Sequence, residues 1–177
     1  MTEPSNLETA PERALDQESA TPAEIPWHLW AVGGAALLAS LAGLVEAVFS
    51  LTGNAWYFKQ LGYGRSQIDY FTDLGWLAAA VWAIAVFTGV AGALFLLSRR
   101  RVAVPLLLAS AVAHAVLLAV TYGSLNRWTV LGGSSLTAGL LGLVIALGAT
   151  GYAWWLSKQG GLISSSEVTG LVPRRAA

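Results

Sequence analysis

Two side chains in this sequence could exchange a proton inside apolar surroundings, Glu46 and His114. Each stands in a long run of Leu, Ala, Val and Gly, and each has hydroxyls at helical spacing. Ser50 follows Glu46 by four residues, while Ser110 precedes His114 by four and Thr121 follows it by seven. An ionised carboxylate in hydrocarbon costs several kcal/mol, so it is protonated, paired or hydrated there. Ala35, Ala39, Gly43, Glu46 and Ser50 fall on one helical face, which sets the acid among small residues of the kind that line close contacts between membrane helices. Glu46 is therefore expected to point into a helix bundle, either as a hydrogen-bonded structural acid or as a proton-coupling or ligand group. His114 has the same pair of readings: a neutral imidazole satisfied by a hydroxyl or carbonyl, or a proton partner. The depths of the two differ by about two helical turns or less, so a Glu–His couple is possible if their helices are neighbours.

Other chemistries find no residues to carry them. The chain has no cysteine, which removes disulfides, thiolate nucleophiles and cysteine-held metal or iron–sulfur sites. The two histidines lie far apart, and no phosphate-cradling loop or Ser/His/Asp arrangement is legible, so no enzyme activity, metal or cofactor is expected. With a formal net charge of zero and no basic face, a nucleic-acid partner has no electrostatic support.

The elements that must position Glu46 and His114 follow from composition. Hydrophobic residues make up 55% of the chain and charged ones 11%, against roughly 45–50% and 25% in a soluble domain. Four apolar stretches, residues 27–51, 76–97, 102–122 and 135–156, each match the ~20 residues that a helix needs to cross a bilayer. Tryptophans and tyrosines mark their ends, as in an interfacial belt. The expected fold is all-α: a four-transmembrane-helix bundle over residues 27–157, whose first partner is the lipid bilayer. Residues 1–26, acidic and poor in large apolar side chains, and 158–177, rich in Gly and Ser, are expected to be flexible tails.

The connection 52–75 is crowded with aromatics. Trp56, Tyr57, Tyr63 and Tyr70 mark it as an interfacial anchor or as a lid over a cleft. Ser66 and Asp69 resemble a capping box that would start a short amphipathic helix with Ile68, Phe71 and Leu74 on one face. Packing seams are expected at Ala85, Gly89 and Gly92, and at Ser135, Gly139, Gly142, Ala146 and Ala149. Arg99, Arg100 and Arg101 form a basic turn between the second and third spans; by the positive-inside rule it faces the cytoplasm, with both termini on the same side.

From Trp27 to about Tyr122 the chain resembles a family of small bacterial four-helix membrane proteins often labelled "sugar transporter". The matching residues are WHLW at 27–30, Gly43 with an acid three residues on, Asn54 with Tyr57, Trp76, WAIAV at 82–86, Gly89, Gly92 and the LLSRR exit at 96–100. The chain departs from that pattern at Glu46–Ala47, where the family tends to show Asp followed by Tyr. The resemblance implies a small-solute, sugar-like transporter or a transport accessory subunit in the bacterial cytoplasmic (inner) membrane. The alternative from the residues alone is a non-transporting structural or interaction protein; a proton-coupled small exporter is a further one. A transporter of this size is expected to form a homo-oligomer, because four helices enclose little space beyond their own side chains.

Overall fold

The computed structural model describes residues 26–163. The acidic segment before Pro26 and the carboxyl tail beyond Ile163 lie outside the described residues. Six helices follow in order: α1 Trp27–Leu51, α2 Ala55–Gln60, α3 Arg65–Thr72, α4 Trp76–Leu97, α5 Ala103–Gly123 and α6 Arg127–Lys158. α1, α4, α5 and α6 are long and apolar enough to cross a membrane, and they form an antiparallel bundle. α4 packs on both α1 and α5, α5 packs on α6, and α6 closes the ring on α1 through the thinnest of these interfaces.

Unlike a soluble domain, the bundle turns large apolar side chains outward as well as inward. Leu38, Val45, Phe87, Val112, Leu141 and Val144 are all exposed around its girth, an apolar surface suited to lipid tails. Small residues lie where helices meet. A side chain added at Gly92 would meet Leu107, and one at Gly139 would meet Leu118, so these glycines set the α4–α5 and α5–α6 approach. Two apolar clusters result. Near the ends of the bundle that carry Pro26 and Ile163, Leu29, Ala36, Ala93, Leu96, Leu107 and Ala153 are buried together; near the opposite end, Ala47, Phe58, Phe71, Trp82, Val86 and Leu117 are. Between them lie four polar side chains, Ser40, Glu46, Ser110 and His114, among small and apolar ones.

Four features differ from expectation. α6 begins at Arg127 instead of Ser135 and is interrupted at Gly132, whose φ of 72° and ψ of −176° belong to a region open only to glycine. The connection 52–75 holds two short helices where one was expected. α3 starts at Arg65, so Ser66 is inside it and caps nothing; Gln67 Oε1 instead accepts from the Gly64 N–H at 3.0 Å. Ala35 faces outward, and the close-packed face of α1 runs through Gly33, Ala36, Ala47 and Ser50.

The fourth difference is that residues 159–163, expected to be part of a flexible tail, dock on the bundle. Gly160 takes a φ of 72° after α6, and the Gly161 N–H donates back to Leu156 O at 3.0 Å, the hydrogen bond of a Schellman ending. The end of α4 repeats the motif with Arg99 at φ 56° and the Arg100 N–H on Phe95 O at 2.8 Å. The two endings lie side by side. Ile163 bridges Arg100 in parallel, its N–H donating to Arg99 O at 2.6 Å, while the Arg101 N–H returns to Ile163 O at 3.2 Å. Leu162, 1% exposed, closes the apolar cluster beneath. At this same end His28 Nδ1 and Tyr152 Oη meet at 2.6 Å, clasping α1 to α6.

Candidate functional site

A cavity of about 90 Å³ lies between α1, α4, α5 and α6. That is room for several waters. Glu46, His114 and Ser110 line it together with Ser40, so three of the four residues read from the sequence as a proton or ligand site meet at one place. Ser50 does not join them: it lies one turn beyond Glu46, 1% exposed, with its Oγ buried and unpartnered.

Each wall is positioned by a small residue opposite it. Gly89 of α4 sits between Ser40 and Ser110; a Cβ there would stand 2.9 and 2.8 Å from their hydroxyls. Ser110 is satisfied, its Oγ donating to Ala85 O at 2.7 Å. His114 fits against Gly142, where a Cβ would come within 3.1 Å of the imidazole, and its Nε2 lies 3.1 Å from Gly139 O. A carbonyl only accepts, so Nε2 carries the hydrogen and Nδ1 is left as an acceptor. Glu46 is half-buried and makes no hydrogen bond or ion pair among the described residues. Ser40 was legible as the only other hydroxyl on α1 before Glu46.

Above Glu46 the connection 52–75 forms an aromatic plug. Asn54 Oδ1 accepts from the Tyr57 N–H at 2.9 Å and starts α2, which drives Phe58 into the bundle at 1% exposure. Phe58, Tyr63 and Phe71 stack with centroids 6.0–6.1 Å apart, and Phe71 reaches Trp82 on α4. Of the residues suggested as a lid, Trp56 points outward at 64% exposure, while Tyr57, Tyr63 and Tyr70 pack against the inner cluster. Burial, then the charge of Glu46 and the neighbouring Tyr63, push the Tyr57 phenol up to about 12. Tyr63 is raised by burial and by Glu46 and Tyr122, with Arg127 opposing. Tyr70 is raised by burial and Tyr122, again with Arg127 opposing.

Arg127 lies outside the apolar stretch 135–156 and drew no role from the sequence. The break at Gly132 turns the first residues of α6 over the end of the bundle, where Gln67 Nε2 holds Val130 O at 3.3 Å, and tucks Arg127 inward at 9% exposure. Its guanidinium lies 5.5 Å from the centre of the Tyr122 ring, whose hydroxyl meets Ser135 Oγ at 2.7 Å. Arg127 Nε is buried without a partner, as are Tyr70 Oη and Ser50 Oγ. The only signal in the sequence is the Gly132–Gly133 pair inside an otherwise helical apolar stretch.

The arginine turn, expected to set orientation, also has a packing role. Arg99 Nε donates to Gly161 O at 3.1 Å and Arg101 Nε to Leu162 O at 3.2 Å, while Arg100 is exposed. Among the described residues no group of three or more His, Cys, Asp or Glu lies close enough to hold a metal ion. No family model, no curated protein and no solved structure matches the chain.

Proposed function

We propose that the chain is a small proton-coupled carrier in which Glu46 exchanges protons through the cavity it shares with Ser40, Ser110 and His114. The observation that carries this reading is the half-buried carboxyl group of Glu46, which borders a cavity shared with Ser40, Ser110 and His114 and has no hydrogen-bond partner among the described residues. A carboxyl group that borders a cavity and that no protein donor fixes can give its proton to water there. In the exchange, the Glu46 carboxylic acid releases its proton to cavity water, and the His114 Nδ1 lone pair accepts it to give an imidazolium; the reverse transfer restores both. Ser40 and Ser110 line the water path. The cavity is far below the ~300 Å³ of small-molecule pockets, so a sugar-sized solute binds elsewhere on the protein or between copies.

The positive-inside rule puts the arginine turn and the segments beside it in the cytoplasm, and the plug on the outer face, of a bacterial inner membrane. The competing reading, a structural or interaction protein, draws on the packed plug and the clasped opposite end. Reconstituted protein in liposomes with an internal pH dye, challenged with a panel of small solutes, separates the two. Glu46→Gln, which preserves shape and hydrogen bonding, abolishes solute-driven proton movement while the melting temperature holds. Full proton movement in Glu46→Gln, with stability lost only in Glu46→Ala, makes Glu46 a clasp and refutes the carrier mechanism.

A further inference from the structure

We propose that the groove along α4 and α5 holds one acyl chain of an anionic phospholipid, whose phosphate rests on Arg100 and Arg101. The groove takes up about 450 Å³ on the outer surface of the bundle, and every side chain lining it is apolar. α5 supplies most of the wall. Pro105, Leu108, Val112 and Val116 recur at spacings of three and four, so they share one helical face, with the small Ala109 and Ala113 beside them. Val81 and Ile84 of α4 complete it. The two helices hold a fixed register behind the groove, because Ser110 Oγ donates to Ala85 O at 2.7 Å. From Pro105 to Val116 the face extends about 16 Å, roughly half of the ~30 Å hydrocarbon core. That is the depth of one leaflet. A membrane-crossing helix of a second copy needs a face about twice as long.

Charge selects the lipid. The Ala103 N–H donates to Arg100 O at 3.0 Å and the Val104 N–H to Arg101 O at 3.2 Å, which winds the arginine turn directly into α5. Arg101 thus stands one turn before Pro105, at the end of the groove. Arg100 and Arg101 are exposed, and neither has an ion pair among the described residues. Arg101 gives its Nε–H to Leu162 O at 3.2 Å, and its terminal N–H groups make no hydrogen bond among those residues. The exposed Trp27, Trp30, Trp154 and Trp155 mark this end as the headgroup level. A phosphate there meets two guanidinium forks while its chain covers the groove. The ammonium of a zwitterionic lipid weakens that attraction. Nothing in this inference depends on the carrier reading.

The test is thermal unfolding of the purified full chain in a neutral detergent, titrated with dioleoyl phosphatidylglycerol or with phosphatidylcholine of the same chains. Phosphatidylglycerol raises the melting temperature at a lower concentration, by roughly fivefold for each arginine engaged. Glycerol 3-phosphate, which has the charge but no chain, leaves it unchanged. Changing Arg100→Gln and Arg101→Gln together removes the preference between the lipids. Ala113→Phe fills the groove and removes the phosphatidylglycerol increment with both arginines in place; Ala109→Phe gives the same readout if Ala113→Phe does not fold. Equal stabilisation by the two lipids, a shift with glycerol 3-phosphate, or an increment that survives the paired arginine change or both phenylalanine changes would overturn the site. Cross-linking of one copy to another through Val112→Cys in the membrane would assign the groove to a second copy and overturn it as well.

Discussion

Glu46 was legible because an acid in an apolar run has few ways to be there, and His114 for the same reason. Arg127 was not, because a cation beside a span ordinarily extends its stem along the membrane and leaves its head in water. Only the direction of the chain at Gly132 decides that this one turns inward. Phe71 was read only as one residue of an amphipathic face and Phe58 was left out of the lid in favour of tyrosines and Trp56, although the two are the buried anchors of the plug. A prediction at this scale concerns Tyr57. Its phenol is raised from 10.0 to about 12, so the folded state disfavours the phenolate. The stabilisation is fully present below pH 10 and is lost as pH rises through about 12. Absorbance titration of tyrosinate should show a late transition that Tyr57→Phe removes, and the variant's melting temperature should fall less steeply at alkaline pH. An unchanged titration would mean that Tyr57 is open to water.

At the scale of elements, hydropathy located the long helices well because length and apolar content are what a bilayer demands, and α1 and α4 have the bounds read from the sequence. It failed where local backbone conformation decides. The amino end of α6 was missed because Arg127 and the Gly132–Gly133 pair read as loop, although five helical residues precede the break. The Ser66–Asp69 capping box was misplaced because the helix starts two residues earlier, with Gln67 serving Gly64. Gly132→Ala tests the break directly. A Cβ at φ 72°, ψ −176° costs about 1–3 kcal/mol, even though open space surrounds the position. Thermal unfolding should show that loss, and a cysteine placed at Leu131, half-buried under the plug, should label faster in the Gly132→Ala background. Retained stability with unchanged labelling would show that the amino end of α6 does not depend on the break.

Across the whole molecule, exposed tryptophans form two rings: Trp27, Trp30, Trp154 and Trp155 at one end, Trp56, Trp76 and Trp128 at the other. The rings frame the apolar girth, and the ends between them are finished differently, one by stacked aromatics and the other by paired backbone. That second finish was hidden in the sequence because KQGGLI looks like a polar linker and gives no sign that Leu162 has a socket. Leu162→Ala should destabilise the bundle by about 2–5 kcal/mol, the range for truncating a buried leucine. Its neighbour Ile163 is 47% exposed and holds its place through the backbone, so Ile163→Ala should be close to neutral. Equal effects of the two in a melting series would mean that the segment lies loose in solution.

The paired endings also set an order of events during biosynthesis. Gly161, Leu162 and Ile163 are translated after all four spans, yet they supply the carbonyls for Arg99 and Arg101 and the backbone partner of Arg100. Until those residues clear the ribosome, the turn between α4 and α5 lacks these backbone partners. The Arg99 and Arg101 Nε donors are thus free while the spans are being made and are engaged, with their charge intact, once Gly161 and Leu162 dock.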